Sequence, residues 1–180
     1  MTRVIGVVGP SGVGKDTLMA ALADCEPRLA LIRRVITRPA TAGGEDFEGV
    51  TEAEFAARCA AGEFVLDWAA HGLCYGIPAA LPVGRDGLVN LSRSVLRQAA
   101  QVFGPGFTVL ALQAAPEVLA ARLLARGRED AATIAARLAR RVDPLPEGLD
   151  VVTLDNSGPL ALTVAAARAA LYPNSGRRAI

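Results

Sequence analysis

The chain has 180 residues, of which 52% are hydrophobic and 21% are charged, and its formal net charge is +1. This length and composition predict one globular domain, residues 1–180, with a full hydrophobic core. A net charge this close to zero argues against a nucleic-acid partner. No uninterrupted apolar run reaches the length that a membrane span requires.

Apolar and amphipathic stretches alternate along the chain and predict an α/β fold. Strands are predicted at residues 4–8, 31–36, 87–91, 107–112 and 151–154, and helices at 16–23, 94–101, 116–125, 131–141 and about 159–171. Strands that alternate with helices form a parallel sheet with helices on both faces. We therefore expect a three-layer fold with a five-stranded parallel sheet, whose ligands bind at the carboxyl ends of the strands.

The first strand pattern leads into a glycine-rich loop that a helical pattern follows, Gly9-Pro10-Ser11-Gly12-Val13-Gly14-Lys15-Asp16-Thr17. In the motif G-x-x-x-x-G-K-[ST], main-chain N–H groups surround the phosphates of a nucleotide, and the lysine reaches the β- and γ-phosphate oxygens. Lys15 is the only lysine among 19 basic residues, so a compact ammonium is kept where such a loop needs it. We predict that residues 9–17 bind ATP.

Asp16 stands where this motif normally has a serine or threonine that binds Mg²⁺. A carboxylate is also a hard oxygen ligand, so we predict that Asp16 binds Mg²⁺ directly or through water. Thr17 should not replace the missing hydroxyl, because a helix turns by ~100° per residue. The alternative for Asp16 is an ordinary acidic residue, favourable in the first turn of a helix.

Two stretches interrupt the alternation of strands and helices. Residues 37–84 contain a helix with the capping-box pair Thr51 and Glu54, a strand pattern at 63–68 and a turn at His71-Gly72. We interpret this insertion as a subdomain that binds an acceptor substrate. Residues 126–140 begin with a charged run between two helical patterns, and we interpret them as a lid.

Further short motifs resemble those of the guanylate-kinase-like P-loop kinases, in the same order and along nearly the whole chain. Besides the loop, they are Thr37-Arg38-Pro39, Gly44-Glu45, Glu54-Phe55, Gly62-Glu63-Phe64, Trp68-Ala69, Tyr75-Gly76, Arg126-Gly127 and Arg137-Leu138. The resemblance implies the P-loop fold of nucleoside-monophosphate kinases, with ATP as phosphoryl donor and Mg²⁺ as the cofactor.

The departures from the family pattern concentrate where guanylate kinases bind their acceptor. Other side chains stand there in that family, whereas this chain has Arg34, Thr41, Phe47, Asp67, Ile77 and Asn90. A buried polar group that loses its partner costs about 1–3 kcal/mol, so we infer that guanine is not the acceptor. The chain looks more like the branch of the family that converts ribose 1,5-bisphosphate to phosphoribosyl diphosphate. An acceptor with two phosphates and no base would favour additional arginine.

The resemblance also implies roles for individual residues. Lys15, Arg126 and Arg137 are the predicted catalytic residues, because cationic side chains stabilise the charge of a phosphoryl group in transfer. The predicted acceptor ligands are Arg34, Arg38, Asp67, Tyr75, Asn90 and Arg128. Each has an ordinary alternative, which is a surface ion pair or solvated helix face for the arginines and simple packing for Tyr75.

Three other functions stay open at this point. The first is a guanylate or other nucleoside-monophosphate kinase with an altered pocket, the second a catalytically silent interaction module, and the third a P-loop sugar kinase such as gluconate kinase. The intact loop argues against the second, and Thr37-Arg38-Pro39 argues against the third. The expected partners are ATP and a small sugar phosphate, without nucleic acid or membrane, and oligomerisation is left open. Three widely spaced cysteines and a strand pattern that starts at residue 4 favour a cytoplasmic protein without a signal peptide.

Overall fold

Two β-sheets make up the framework of the computed structural model, which describes residues 3–39, 45–125 and 144–173. The strands are β1 (Val4–Val8), β2 (Leu29–Leu31), β3 (Arg34–Ile36), β4 (Phe47–Gly49), β5 (Phe64–Ala70), β6 (Leu73–Pro78), β7 (Asp86–Asn90), β8 (Phe107–Gln113) and β9 (Asp150–Asp155). The helices are α1 (Lys15–Cys25), α2 (Glu52–Ala60), α3 (Leu96–Phe103), α4 (Pro116–Ala125) and α5 (Leu160–Leu171), with 3₁₀ turns at Arg93–Val95 and Gly104–Gly106.

The main sheet is parallel throughout and has the strand order β2-β7-β1-β8-β9. All five residues of β1 are buried, as expected for a central strand that is covered on both faces. One face packs against α1 and α5, through Leu18 and Ala167 among others. The other face packs against α3 and the second sheet, through Leu96 and Trp68. The predicted five-stranded parallel sheet with covered faces is confirmed.

The small sheet has the order β4-β3-β6-β5, in which only the β3–β4 pair is parallel. Its hairpin turn is at His71 and Gly72, whose φ angles of 55° and 74° are those of a tight two-residue turn. The helix α2 begins with the predicted capping box, because the Thr51 side chain accepts from the Glu54 N–H and the Glu54 carboxylate accepts from the Thr51 N–H. These features confirm the local patterns predicted within residues 37–84, although the small sheet already starts at Arg34.

The prediction of a single strand at residues 31–36 is wrong, because two strands, β2 and β3, occupy this stretch. The chain pairs with β7 as far as Leu31, and the N–H of Ile32 still donates to the Leu88 carbonyl oxygen. It then leaves the main sheet at Arg33, whose side chain is exposed and bonded to Asp46, and enters the small sheet at Arg34. Because both strands are mostly apolar, the hydrophobic pattern does not show where the chain changes sheets.

The remaining predicted elements differ by one or two residues at their ends or lie outside the described part of the chain. The helix predicted at 131–141 and the lid predicted at 126–140 fall entirely within residues that the structure does not describe. Within the described segments, no helix combines the length and the apolar character needed to cross a bilayer.

Candidate active site

The glycine-rich loop, residues 9–17, connects the carboxyl end of β1 to the first turn of α1. Gly12 and Gly14 have φ angles of 84° and 94°, a region that favours glycine. A Cβ on Gly9 would lie 2.7 Å from the Leu112 carbonyl oxygen, so the loop also needs glycine there for a close approach. Successive N–H groups in such a loop and at a helix N-terminus form an anion-binding concavity. The sequence motif therefore stands in the structural context that its chemistry requires.

Lys15 is the first residue of α1, and its ammonium lies over the loop. The Nζ atom donates to the Gly9 carbonyl oxygen at 2.9 Å and to the Pro10 carbonyl oxygen at 3.3 Å. These two bonds hold the ammonium beside the first residues of the loop, where β1 ends. A phosphate that entered the loop would therefore meet a positioned positive charge.

Asp16 and Asn90 are brought together at the carboxyl ends of neighbouring strands. Asn90 ends β7 and pairs in register with Val7 of β1. Its Nδ2 atom donates to Asp16 Oδ1 at 3.2 Å, and the Asp16 side chain is exposed. Mg²⁺ in kinases is bound through one or two carboxylates together with substrate phosphates, and the Asp16 carboxylate beside the loop fits that donor set. In the described segments no group of three His, Cys, Asp or Glu side chains forms a protein-only metal site.

Behind the loop lies a buried polar group that the sequence analysis did not include among the site residues. Asn156, which follows β9, is 3% exposed, and its Nδ2 atom donates to the Val13 carbonyl oxygen at 2.7 Å. The same oxygen accepts a bond from Arg122 Nη1 at 3.2 Å. A sequence signal for Asn156 is its place directly after an apolar strand, which becomes informative once β9 is known to lie at the sheet edge beyond β8.

In the small sheet, the Arg34 guanidinium lies near two aromatic rings and pairs with one carboxylate. Its guanidinium lies 5.1 Å from the Tyr75 ring centroid and 5.9 Å from that of Trp68, and these two rings stack on each other at 5.1 Å. Its Nε donates to Glu45 Oε2 at 3.1 Å and its Nη2 to Glu45 Oε1, a two-pronged carboxylate pair. The structure thus brings Arg34 and Tyr75 together as predicted, and it adds a carboxylate partner that the sequence did not reveal.

Arg38 follows β3 and is half-buried at the edge of the small sheet. Its guanidinium lies 4.2 Å from the ring centroid of Phe47, which is buried. Two bonds between Thr37 and Cys74 tie this end of β3 to β6: the Thr37 N–H donates to the Cys74 carbonyl oxygen, and the Cys74 N–H donates to Thr37 Oγ1. The backbone next to Arg38 is therefore fixed against β6.

Asp67 lies on the opposite face of the small sheet from Tyr75 and Arg34. Burial alternates along β5, where Leu66 and Trp68 are buried and Asp67 is exposed. Successive side chains of a strand point to opposite faces, and Trp68 is the one that stacks on Tyr75. Burial, together with the nearby Asp67 carboxylate, raises the pKa of the Cys59 thiol, which places Asp67 towards α2. The structure does not bring Asp67 together with the other predicted acceptor ligands, and its role stays a prediction.

Three predicted site residues cannot be placed. Arg126 and Arg137, predicted to be catalytic, and Arg128, predicted to bind the acceptor, lie outside the described residues. The last described residue before them is Ala125, at the end of α4. Their roles stay predictions.

Comparison with known proteins gives close sequence relatives and a shared fold. No protein-family model matches the chain. A ribose 1,5-bisphosphate phosphokinase PhnN of Ruegeria sp. (strain TM1040) is 57% identical over 171 residues, which cover 92% of this chain and 90% of the relative. A protein of the same name from Pantoea vagans (strain C9-1) is 49% identical and covers 91% of this chain and 94% of the relative.

Among solved structures, guanylate kinase from Anaplasma phagocytophilum has a TM-score of 0.68 at 18% identity, covering 98% of this chain and 87% of that one. A gluconokinase from Sinorhizobium meliloti 1021 has a TM-score of 0.57 at 20% identity, covering 95% and 92% of the two chains. At these identities the likeness shows the fold alone. It is the P-loop kinase fold predicted from the sequence.

Proposed function

The chain belongs to the ribose 1,5-bisphosphate phosphokinase family, and on that premise we propose that it transfers the γ-phosphoryl group of ATP to ribose 1,5-bisphosphate. The products are ADP and 5-phospho-α-D-ribose 1-diphosphate. An oxygen of the acceptor's 1-phosphate attacks the γ-phosphorus, and the bond between that phosphorus and the β–γ bridging oxygen breaks. The observation that carries the proposal is the 57% identity to a relative of that name over nearly the whole of both chains.

The geometry of the loop supports the donor half of the reaction. Lys15 and the N–H groups of residues 9–17 bind the phosphates of ATP, and Lys15 neutralises charge on the β- and γ-phosphates as the bond between them breaks. Asp16 binds Mg²⁺, and Asn90 orients the Asp16 carboxylate. Mg²⁺, when bound, neutralises phosphate charge.

The small sheet supports the acceptor half. Arg38 and Tyr75 bind the acceptor, and Arg34 contributes positive charge that is partly balanced by Glu45. The attacking phosphate oxygen is already anionic, so the reaction requires no general base among the side chains. Residues 126–140 act as the lid, whose Arg126 and Arg137 stabilise the charge of the transferring group. Arg128 binds the acceptor. Residues 37–84 serve as the acceptor subdomain of a single cytoplasmic kinase domain.

A coupled assay of ADP release tests the proposal. With Mg·ATP, we expect turnover with ribose 1,5-bisphosphate and little with GMP at equal concentration, and phosphorus NMR of the product should show a diphosphate. We expect Lys15→Ala to lower kcat/KM by at least about 100-fold, since it removes the cation from the transferring phosphates. Full activity of Lys15→Ala would contradict the assigned role of the loop.

A nucleoside-monophosphate kinase is the second candidate, because the fold is shared with guanylate kinase. In that case GMP or another nucleotide would drive ADP release and the sugar bisphosphate would not. Tight binding of Mg·ATP without turnover on either acceptor would instead indicate a silent interaction module.

A further inference from the structure

Asn156 is buried, and its main-chain N–H and both polar atoms of its side-chain amide have hydrogen-bond partners. Its main-chain N–H donates to the Gln113 carbonyl oxygen at 2.8 Å, which seats it at the carboxyl ends of β8 and β9. Its Oδ1 atom accepts from Thr163 Oγ1 at 2.8 Å, and its Nδ2 donates to the Val13 carbonyl oxygen at 2.7 Å. Thr163 is also 3% exposed, so the path from α5 to the loop is buried along its length.

The Val13 carbonyl oxygen accepts a bond from Asn156 Nδ2 at 2.7 Å and a longer one from Arg122 Nη1 at 3.2 Å, and these bonds determine how one peptide plane of the loop is turned. In a trans peptide the C=O and the following N–H point in opposite directions, and the described residues contain no cis peptide bond. Because the Val13 carbonyl points at Asn156, the Gly14 N–H points away from Asn156. Gly14 fits this arrangement closely, since a Cβ on it would lie 2.8 Å from Asn156 Nδ2.

The Val13 carbonyl decides which end of the Asn156 amide faces the loop, because a carbonyl oxygen only accepts hydrogen bonds. The hydroxyl of Thr163 donates to Oδ1, and it lies 3.2 Å from the Asp155 carbonyl oxygen as well. With Oδ1 turned towards α5, the Nδ2 group is the end that meets Val13. A reversed amide would put an oxygen against the Val13 carbonyl, which buried polar groups avoid.

We propose that Asn156 is a positioning residue for nucleotide binding, which holds the Val13 carbonyl towards itself and away from the bound phosphates, so that the Gly14 N–H faces them. Thr163 supports Asn156 through the bond to Oδ1. Asn156 need not touch the nucleotide to do this. The inference rests on the proposed binding of ATP phosphates by residues 9–17, and it extends the site to α5, an element that carries no residue of the loop motif.

The test replaces Asn156 with aspartate, which keeps the shape and the Thr163 bond, replaces the donor to Val13 with an oxygen and adds a negative charge when it is ionised. Binding of Mg·ADP, measured by calorimetry, is expected to weaken about tenfold. The KM for ATP should rise and the KM for the acceptor should stay the same. A buried aspartate has a raised pKa, and its protonated form can donate again. The ratio of the variant's dissociation constant to that of the unaltered protein should therefore fall as the pH is lowered from about 8 to about 6.

Thr108→Val is the matched control. Thr108 is buried, and its Oγ1 donates to Asp150 Oδ2 at 2.8 Å at the amino ends of β8 and β9, away from the loop. This variant should lower the unfolding temperature and leave Mg·ADP binding unchanged. If Asn156→Asp behaves in the same way, Asn156 is only structural and the proposal is wrong.

A second variant keeps the test decisive if Asn156→Asp does not fold. Thr163→Val removes the hydroxyl that holds Asn156 Oδ1 and should weaken Mg·ADP binding about threefold, whereas Thr163→Ser should bind like the unaltered protein. Equal binding by both variants overturns the proposal. The function and the inference fail separately, because an unaltered protein that binds Mg·ADP but turns over no sugar bisphosphate contradicts the function alone.

Discussion

At the scale of single residues, the ion pair with Glu45 gives Arg34 two alternative roles. Arg34 is a predicted acceptor ligand, yet its Nε and Nη2 atoms both donate to the Glu45 carboxylate. The side chains are 8% and 18% exposed, so the pair is well shielded from water. Arg34 therefore either binds the acceptor in competition with Glu45 or stabilises the stacked rings of Trp68 and Tyr75.

Two single variants distinguish these roles of Arg34. We expect Arg34→Met, which keeps the apolar stem and removes the charge, to raise the KM for ribose 1,5-bisphosphate about tenfold at an unchanged KM for ATP. Glu45→Gln keeps the guanidinium and weakens its competitor, so it should lower the acceptor KM or leave it within about twofold. Steady-state kinetics with each substrate varied in turn provides the measurement.

The stability of the same variants is the control. Arg34→Met leaves a shielded carboxylate without its ion pair and should lower the free energy of unfolding, whereas Arg34→Met combined with Glu45→Gln should recover much of that loss. If the double variant also recovers the acceptor KM, Arg34 acts only as support for the sheet.

Residue roles were predictable where the chemistry is local in the chain. The motif's mechanism names the task predicted for Lys15, and the next position, where Asp16 replaces the usual hydroxyl, suggested a metal ligand. Asn156 meets Val13 across 143 positions, so its role became visible only when the fold had brought β9 beside β8. The Arg34–Glu45 pair spans 11 positions and a change of strand, which no periodic pattern encodes.

At the scale of elements, predictions succeeded where one local signal dominates. The capping box fixed the start of α2, and the His71-Gly72 pair fixed the β5–β6 hairpin, because each depends on backbone bonds within a few residues. The prediction for residues 31–36 failed because burial on two different sheets gives one continuous apolar pattern. Which sheet a strand joins depends on its distant partners, here β7 for β2 and β6 for β3.

The capping box of α2 gives an element-scale prediction. Thr51→Ala removes the acceptor for the Glu54 N–H and should lower the free energy of unfolding by about 1 kcal/mol, while Thr51→Ser should retain most of it. Urea denaturation followed by circular dichroism measures both. Because α2 packs on the small sheet through the stacked pair Phe55 and Phe64, loss of much more than this amount would mean that the cap holds the whole subdomain.

At the scale of the whole molecule, charged residues fasten the end of the main sheet opposite the phosphate loop. Glu26, directly after α1, is 3% exposed. Its carboxylate accepts two side-chain bonds from Arg28, at 2.7 and 2.8 Å, one from the Arg28 main-chain N–H at 3.3 Å, and two from Arg168 of α5, both at 3.4 Å. Nearby, the Tyr172 hydroxyl donates to Asp86 at 2.7 Å. The carboxylate of Glu26 thus joins the two helices that cover one face of the sheet.

The Glu26 carboxylate makes stability depend on acid pH. The side-chain bonds from Arg28 lower its pKa from 4.5 to about 2. Since the folded pKa lies below the unfolded one, the stabilisation is complete above about pH 5 and is lost as the pH falls towards 2. Glu26→Gln should cost on the order of 1–3 kcal/mol at pH 7, and its difference from the unaltered protein should shrink across that acid range.

Denaturant titrations at pH 7, 4.5 and 3 would measure this difference. The matched control is Glu63→Gln, because Glu63 is also paired with an arginine but is 49% exposed. An exposed ion pair contributes about 0–1 kcal/mol, so this variant should lose little at any of the three pH values. Parallel pH profiles for Glu26→Gln and the unaltered protein would contradict the assignment.

The stacked pair of Trp68 and Tyr75 makes intrinsic fluorescence a useful reporter of ligand binding to this protein. Trp68 is the only tryptophan of the chain, and its indole lies against Tyr75 and within 5.9 Å of the Arg34 guanidinium. Indole emission responds to the electric field and to quenching groups within a few ångströms. Tryptophan emission therefore reports mainly on the small sheet, and a titration should resolve occupancy of the acceptor side from occupancy of the ATP side without any attached dye.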